Sequence, residues 1–370
     1  MKAFIRTLLL LALAAALGCG GSSTGPKTLE FLYAVGQPNS IFNFQVLSDG
    51  EVQSSSVFTN ATAPRPVAMT LHPSKNFLYV ANLTSNVVSG FSVDHTTGVL
   101  TPVGTAIPPT PTGPQPTALG IDPGGQFLFV MTQGDPTATP TAIPPRISTF
   151  GIDARGLLTA GGSVDLAAPS QLLVVSPAAN VLYVASGATI AGFSIGTSGA
   201  LAPIAGGFTG AVGTNVAGMT IDSKGQFLYA ADSGNNGVLT FSIDAAGALT
   251  PVAGSPFAAG TQPVSVAVDA NNAFLYTANK GSNDISAFTV NAGVLTPVTG
   301  SPFPATTTGV TTPPQPVFIT IDPTNQFVYV GNTGSSNMSG FAINIANGAL
   351  VAVNNSPFGG VGATSIIVTK

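Results

Sequence analysis

The stretch FLYVAN at residues 77–82 has the aromatic and β-branched composition of a strand, and six variants of it occur elsewhere in the chain. These variants are FLYAVG (31–36), FLFVMT (127–132), VLYVAS (181–186), FLYAAD (227–232), FLYTAN (274–279) and FVYVGN (327–332). The aromatic residue in the third slot recurs at intervals of 46, 50, 54, 46, 47 and 53 residues. A period of this size is typical of the blades of a β-propeller.

Every copy lies in the same sequence context. An apolar run ending in a turn precedes it, as VAMTLHP (67–73) precedes FLYVAN, and a strand with a phenylalanine follows it. A turn glycine and a short fourth strand such as GALTPV (247–252) complete the unit. The turn glycines are Gly50, Gly98, Gly156, Gly199, Gly247, Gly293 and Gly348. Four strands in each of seven units, without helical periodicity after the leader, predict an all-β chain.

The two ends of the repeat predict how the ring closes. TSIIVTK (364–370) matches a first strand with no unit after it, whereas the unit that begins near Thr28 lacks its first strand. We therefore predict that the C-terminal strand pairs with the N-terminal blade. The result is a seven-bladed β-propeller over 29–370, with four antiparallel strands per blade. The recurring Tyr and Phe rings are expected to pack between blades, where burial of each ring contributes roughly 1.5–3 kcal/mol.

The first residues predict export. Residues 1–18 combine Lys2 and Arg6 with the apolar run 8–17, which is too short to span a bilayer, so they read as a signal peptide. ALGC (16–19) resembles the lipobox of bacterial lipoproteins, in which the cysteine is acylated. Cys19 is the only cysteine, so it forms no disulfide within the chain.

We therefore predict a lipid anchor at Cys19 and a flexible tether over 19–28. The alternative is an incidental cysteine in a leader that is cleaved elsewhere. Gly20 stands where an Asp commonly retains lipoproteins at an inner membrane, so the expected location is the outer membrane or cell surface.

The charge balance narrows the class of partner. Only 6% of residues are charged. Removing the leader leaves eight basic and fourteen acidic residues, a net charge of −6. This balance argues against nucleic acid, and against membrane contact other than through the lipid. The expected partners are a glycan, a peptide or an envelope protein, and we expect a monomer.

The predicted topology sorts the loops onto two faces. Connections between strands 4 and 1 and between strands 2 and 3 share one face, called here the loop face. The hairpins between strands 1 and 2 and between strands 3 and 4 share the opposite, hairpin face, where His72 and His95 are expected to be turn residues. Proline-rich inserts at 105–116, 133–146 and 301–316 make the loop face irregular, and this irregularity favours binding there.

Polar residues of the loop face are the candidates for a site. The ligand-binding candidates are Arg65, Arg146, Asn82, Asn279 and Asn332. The catalytic candidates are Asp232 and Asp284 as bases and Arg65 and Lys280 as donors. Capping of the turn is an equally good interpretation of the asparagines, because each ends a second strand at the same repeat position. No cofactor or metal is predicted, since DSGNNG (232–237) lacks the alternating oxygens and distal Glu of a calcium loop.

The repeat resembles the seven-bladed lactonase family, which includes 6-phosphogluconolactonases and carboxymuconate cyclases. YVAN (79–82), YTAN (276–279) and YVGN (329–332) also resemble the YVTN repeats of surface-layer propellers. The resemblance covers 29–370 and implies the propeller fold and lactone hydrolysis. Lactonases carry an Arg-His pair after the Pro that opens certain first strands, and a Glu after the Asn that ends certain second strands. Here the Arg-His slots hold Val67-Ala68, Thr117-Ala118, Val264-Ser265 and Val317-Phe318. The Glu slots hold Leu83, Lys280 and Thr333.

Two functions from different classes follow. The favoured hypothesis is a non-catalytic, lipid-anchored propeller that binds or scaffolds through the loop face. The alternative is a lactonase-type hydrolase acting on a sugar or other lactone. A carboxylate and a cation in hydrogen-bond reach at the channel mouth would favour catalysis, and an uncharged channel would favour binding.

Overall fold

A computed structural model describes residues 27–36, 40–59, 65–104, 114–139, 141–204, 213–306, 312–359 and 362–369. These residues form 31 strands and no helix, which confirms the all-β prediction. None of the described ranges contains a helix with the length and hydropathy needed to cross a membrane. The predicted leader and Cys19 lie outside the described residues, as do parts of the three proline-rich inserts.

The strands of the first three blades, in chain order, are β1 (Thr28–Gly36), β2 (Ser40–Leu47), β3 (Val52–Thr59), β4 (Pro66–Leu71), β5 (Phe77–Asn82), β6 (Val87–Val93), β7 (Leu100–Pro102), β8 (Pro116–Ile121), β9 (Phe127–Thr132), β10 (Arg146–Ile152) and β11 (Leu158–Asp165). Those of blades 4 and 5 are β12 (Leu172–Val175), β13 (Val181–Ser186), β14 (Thr189–Ile195), β15 (Leu201–Pro203), β16 (Val216–Ile221), β17 (Phe227–Asp232), β18 (Gly237–Ile243), β19 (Leu249–Pro251) and β20 (Phe257–Ala258). Those of blades 6 and 7 are β21 (Pro263–Val268), β22 (Phe274–Asn279), β23 (Asp284–Asn291), β24 (Val294–Pro297), β25 (Phe303–Pro304), β26 (Pro316–Ile321), β27 (Phe327–Asn332), β28 (Asn337–Ile343), β29 (Leu350–Ala352) and β30 (Phe358–Gly359).

The last strand, β31 (Ser365–Thr369), closes the ring. It pairs antiparallel with β1, from Phe31 opposite Thr369 to Val35 opposite Ser365, and thereby supplies the first strand of blade 1. The seven sheets each contain four antiparallel strands, which are consecutive in the chain except for β31 in blade 1, and blades 5, 6 and 7 add a two-residue strand beside their third strand. The seven-bladed propeller and its closure by the C-terminal strand are confirmed.

The core lies between neighbouring blades. Seven hydrophobic clusters occupy the seven junctions, and each draws its side chains from both blades. Every tyrosine of the repeat is fully buried. The rings therefore pack between blades, as predicted.

The recurrence of the FLY motif has a contact-level explanation. Its first residue packs on the turn glycine of the next blade: Gly98 has φ +70°, and a Cβ there would overlap the ring of Phe31. Its tyrosine hydroxyl donates to the carbonyl of that same glycine, as Tyr33 does to Gly98 at 2.7 Å. The corresponding bonds are Tyr79 to Gly156 (2.9 Å), Tyr183 to Gly247 (2.8 Å), Tyr276 to Gly348 (3.0 Å) and Tyr329 to Gly50 (3.1 Å).

Burial, reinforced by nearby Asp carboxylates, raises the pKa of these tyrosines far above the usual range, so the hydroxyls stay protonated and donate. In blade 3 the motif has Phe129 instead of tyrosine, and the hydroxyl of Thr149 makes the bond to Gly199 at 3.0 Å. The same junction contact is thus made by a different residue.

On the hairpin face, the turn between the first and second strands is capped by a polar side chain. Asp322 accepts from the backbone N–H groups of Gln326 (2.8 Å) and Phe327 (2.6 Å), which fixes the turn before β27. His72 occupies the same slot in blade 2. Its Nδ1 accepts from Ser74 N–H at 3.1 Å, so its Nε2–H donates to Gly125 O of blade 3 at 2.8 Å. This histidine is a turn and junction residue.

Candidate functional site

The seven first strands surround a central channel of about 500 Å³. Its lining is mostly valine, alanine, leucine, isoleucine and methionine, and the polar groups are hydroxyls and one amide, such as Thr117, Gln171 and Ser265. Among the described residues that line it, none is ionisable. The channel is therefore a neutral site.

A β-bulge places the lactonase-family slots on the channel wall. Pro66 pairs with Asn82 and Ala68 with Ala81, so Val67 is the extra residue of β4. The same shift occurs at the start of β8, β16, β21 and β26. The residues in the Arg-His slots that line the channel are Val67, Ala68, Thr117, Ala118, Val264, Ser265, Val317 and Phe318. The slots thus face the site, but they hold uncharged side chains.

The loop face is held by backbone-directed bonds between adjacent blades. Gln115 has a left-handed φ of 62°, and its N–H donates to Asn86 Oδ1 at 2.8 Å. The equivalent bonds join Gln262 to Asn236 (2.9 Å) and Gln315 to Asn283 (3.0 Å). Arg65 occupies this slot in blade 2 with φ 63°, and its carbonyl accepts from Leu83 N–H at 2.9 Å. Its side chain is exposed and lies outside the channel lining.

Asp232 is fully buried at the end of β17. Its carboxylate accepts from Thr214 N–H (3.1 Å) and Oγ1 (3.0 Å), from Asn215 N–H (2.9 Å), and from Gly234 N–H (3.2 Å) and Asn235 Nδ2 (2.8 Å). Burial alone would raise the pKa of Asp232, but these donors outweigh it and hold the pKa below the usual 3.8. A carboxylate bound in this way is an anchor for the strand 4–1 loop and a poor proton acceptor.

The three candidate asparagines are also fully buried. Each donates from Nδ2 to a serine hydroxyl in the third strand of its own blade: Asn82 to Ser89 (3.1 Å), Asn279 to Ser286 (2.9 Å) and Asn332 to Ser339 (2.8 Å). These bonds join the end of the second strand to the third strand within each blade. The constant spacing of seven residues between Asn and Ser was a sequence signal for the pair.

The remaining candidates lie in two blades, with Asp284 and Lys280 in blade 6 and Arg146 in blade 3. Asp284 accepts from Asn279 Nδ2 (2.7 Å) and Ser282 Oγ (2.9 Å), and Lys280 is exposed in the same loop of blade 6. Arg146, in blade 3, forms an ion pair of 2.9 Å with Asp165 on the outer strand β11. None of the candidate residues lines the central channel. The structure thus distributes them over blades 2, 3, 5, 6 and 7 and does not converge them on one point.

The sequence did not reveal which residues form hydrogen bonds or ion pairs with these candidates. Asn215 stands in the slot of Gln262 directly before the first strand, but that slot did not indicate a bond to Asp232. Asp165 lies beyond the usual length of a fourth strand. For metal ions, no cluster of three or more His, Cys, Asp or Glu side chains occurs within the described ranges. The loop 232–237 has its one carboxylate already engaged by five protein donors.

The fold and channel together define a seven-bladed β-propeller with an uncharged central site. The model of the family described as Lactonase, 7-bladed beta-propeller, matches residues 29–113 and 105–362, and the chain belongs to this family. A comparison with curated protein sequences gave no match.

Solved structures share the fold at low sequence identity. A putative 6-phosphogluconolactonase from Bacteroides uniformis is 18% identical over 92% of this chain and 99% of its own, with a TM-score of 0.74. A periplasmic gluconolactonase from Pseudomonas aeruginosa is 18% identical with the same coverages and a TM-score of 0.73. Hydrazine synthase from Kuenenia stuttgartiensis is 16% identical over 83% of this chain and 90% of its own, with a TM-score of 0.58. At such identities the likeness concerns the fold.

Proposed function

We propose that this chain is an exported, lipid-anchored binding or scaffold propeller that takes a neutral ligand at the loop-face mouth of its channel and does not turn it over. The observation that carries the proposal is the uncharged channel wall. Asp232, one of the two candidate bases, is buried and accepts hydrogen bonds from Thr214 and Asn215.

The chemistry of the wall supports binding over hydrolysis. Opening a lactone requires a base or an activated water, and donors for the oxyanion that develops on the carbonyl oxygen. Valine and alanine at 67–68, and Thr117-Ala118, supply no group that titrates near neutral pH. A concave site of this volume with a few hydroxyl and amide groups instead suits a small neutral ligand, such as a saccharide end or a peptide segment.

The first residues of the sequence support the proposed location of the protein in the cell envelope. The apolar run 8–17 and the lone Cys19 support export and acylation. A short tether over 19–28 would hold the propeller close to the envelope, within reach of glycans and envelope proteins.

A lactonase-type hydrolase is the second candidate. Membership of the lactonase family favours it, and so do the neighbours titled a putative 6-phosphogluconolactonase and a periplasmic gluconolactonase. In that case the exposed Lys280 and half-buried Asp284 of blade 6 are the first groups to consider.

Lactone hydrolysis by residues 20–370, the chain without its leader and anchor cysteine, separates the two candidates. The panel contains 6-phosphogluconolactone and unphosphorylated sugar lactones, each measured against its spontaneous rate. We expect no acceleration. Acceleration that disappears in Asp284→Asn and persists in Asp153→Asn, a hairpin-face control, would overturn the binding proposal and assign catalysis to blade 6.

A further inference from the structure

The junction between blades 5 and 6 departs from the other junctions on the hairpin face. Gly293 lies five positions after Phe288 in blade 6, whereas the turn glycine lies six or seven positions after the corresponding phenylalanine in the other blades. The turn consists of Ala292 and Gly293, both left-handed (φ 48° and 79°), and closes with Asn291 opposite Val294. It lacks the Asp or Asn cap that Asp94, Asp153, Asp244 and Asn344 provide in other blades.

The short turn leaves two buried hydroxyls without a bond. Tyr229 and Thr240 are cross-strand neighbours, and both are fully buried. Neither hydroxyl has a hydrogen-bond partner among the described residues. Buried polar groups are nearly always paired, so two adjacent orphans at one junction call for an explanation.

The same two positions are bonded at other junctions. The tyrosine in the slot of Tyr229 reaches the next turn glycine in five blades, and blade 3 has phenylalanine there. The slot of Thr240 holds Asn43 in blade 1, which donates to Gly98 O at 2.9 Å, and Thr149 in blade 3, which donates to Gly199 O at 3.0 Å. Blade 5 therefore has two hydroxyl donors, Tyr229 and Thr240, but neither is bonded to the carbonyl oxygen of the turn glycine in the shortened turn of blade 6.

A cleft of about 600 Å³ lies at this place. Tyr229 and Gly293 form part of its lining, together with Phe227, Gln226, Asn291 and Ser242. Lys224 and Asp222 also line it, so their opposite charges offset each other, and Asp222 is buried with bonds to Gln226 N–H (2.5 Å) and Phe227 N–H (2.9 Å). The cleft is thus rich in amides and hydroxyls, has one half-buried aromatic ring, and has no net charge among these residues.

We propose that this cleft is a second binding site for a small, neutral, hydroxyl-rich ligand of the saccharide class. A ligand oxygen accepts from the Tyr229 hydroxyl, in place of the glycine carbonyl of the regular junctions. The amide side chains of Gln226 and Asn291 match vicinal sugar hydroxyls, because each amide offers a donor and an acceptor. The site lies on the hairpin face and is independent of the central channel.

Tyrosine NMR tests the proposal on the mature chain. The protein carries ¹³C at the ε position of its six tyrosines, and the probes are glucose, N-acetylglucosamine and galacturonate. We expect a saturable shift confined to the resonance that Tyr229→Phe removes, produced by one or both neutral sugars more strongly than by galacturonate. Tyr229→Phe should weaken the affinity for the responding sugar about fivefold or more, the worth of one hydrogen bond.

Two further variants make the test specific. Tyr276→Phe removes the matching hydroxyl of blade 6, which is bonded to Gly348 O, and should leave affinity within about twofold. Replacing residues 291–293 by the longer turn sequence of 244–247 should restore the glycine bond to Tyr229 and abolish binding. If no probe produced a saturable shift, the hydroxyls of Tyr229 and Thr240 would bind only water, and the proposal would fail. An equal loss in Tyr276→Phe, or tighter binding of galacturonate than of both neutral sugars, would overturn it as well.

Discussion

The hairpin face repeats one arrangement at most junctions of the ring, whereas the loop face repeats some of its bonds and varies in others from blade to blade. At most junctions of the hairpin face, a turn glycine packs against an aromatic ring of the preceding blade, and its carbonyl accepts a hydrogen bond from a hydroxyl of that blade. On the loop face, Asn82 and Asn279 end their second strands with a bond to a serine of the third strand, whereas Asp232 in the same slot of blade 5 binds Thr214 and Asn215 of the strand 4–1 loop. We infer that the repeated contacts of the hairpin face hold neighbouring blades together, so the loop face can differ between blades without loss of the ring.

The largest expected effect comes from filling a turn glycine. Gly156 has φ +79°, and a Cβ there would overlap the Phe77 ring. We expect Gly156→Ala to lower the free energy of unfolding by about 2–5 kcal/mol, because left-handed backbone strain adds to overpacking. Chemical denaturation of the mature chain, followed by tyrosine fluorescence, measures it.

Gly187 on the loop face is the matched control. Its φ is also left-handed at +56°, but a Cβ there would meet nothing within 4 Å. We expect Gly187→Ala to cost only about 1–2 kcal/mol, the backbone part alone. Equal losses in the two variants would contradict the view that contacts across the junction, rather than backbone conformation, make the hairpin face critical.

A smaller effect, with a distinct pH dependence, is expected at Asp232. Its folded-state pKa lies below the usual 3.8, because the bonds from Asn215, Thr214 and Gly234 outweigh the effect of burial. The ionised form therefore contributes stability that is fully present above the unfolded-state pKa and is lost as pH falls through the lower folded-state pKa. Asp232→Asn should cost about 2 kcal/mol at pH 7, the worth of charge-assisted bonds, and progressively less as pH falls below about 4.

Asp94 of the hairpin face provides the comparison. Backbone bonds from Thr96 and Thr97 also lower its pKa, but the side chain is exposed. Asp94→Asn should therefore show the same direction of pH dependence with a smaller amplitude. Denaturation midpoints between pH 2.5 and 7 measure both variants. A loss at Asp232 that does not change with pH would show that its charge is not what stabilises the 213–215 segment.

The sequence predicted the ring well because the ring is made by repetition. Seven motif copies at nearly constant spacing required seven equivalent junctions, and the unpaired strand at 364–370 required closure. The bond from Tyr33 to Gly98 was not predicted, although both residues were recognised as repeat positions. Periodicity reveals that residues are equivalent, but it does not reveal which atoms of neighbouring blades meet.

The candidate site was much less predictable. Asp232 was chosen for its charge and its place on the loop face, and the sequence did not indicate that Thr214, Asn215 and Asn235 would donate hydrogen bonds to it. Convergence of side chains depends on loop paths that have no repeat to constrain them. The uncharged wall, by contrast, could be read residue by residue once the family's slots were placed at 67–68, 117–118 and 264–265.

The smallest expected effect lies within the hairpin face itself. Tyr276→Phe removes a buried hydroxyl that donates to Gly348 O at 3.0 Å, leaves that carbonyl without this donor, and should cost about 1 kcal/mol. Tyr229→Phe removes an equally buried hydroxyl that has no partner among the described residues, and should cost nothing or stabilise the ligand-free protein slightly. Parallel urea titrations of the two variants, without added sugar, measure the difference. A clear loss in Tyr229→Phe would mean that its hydroxyl is bonded within the protein in solution, and that the junction of blades 5 and 6 is as regular as the others. A loss confined to Tyr276→Phe would instead show that this junction holds without the bond, because the packing of Phe227 against Gly293 is retained there.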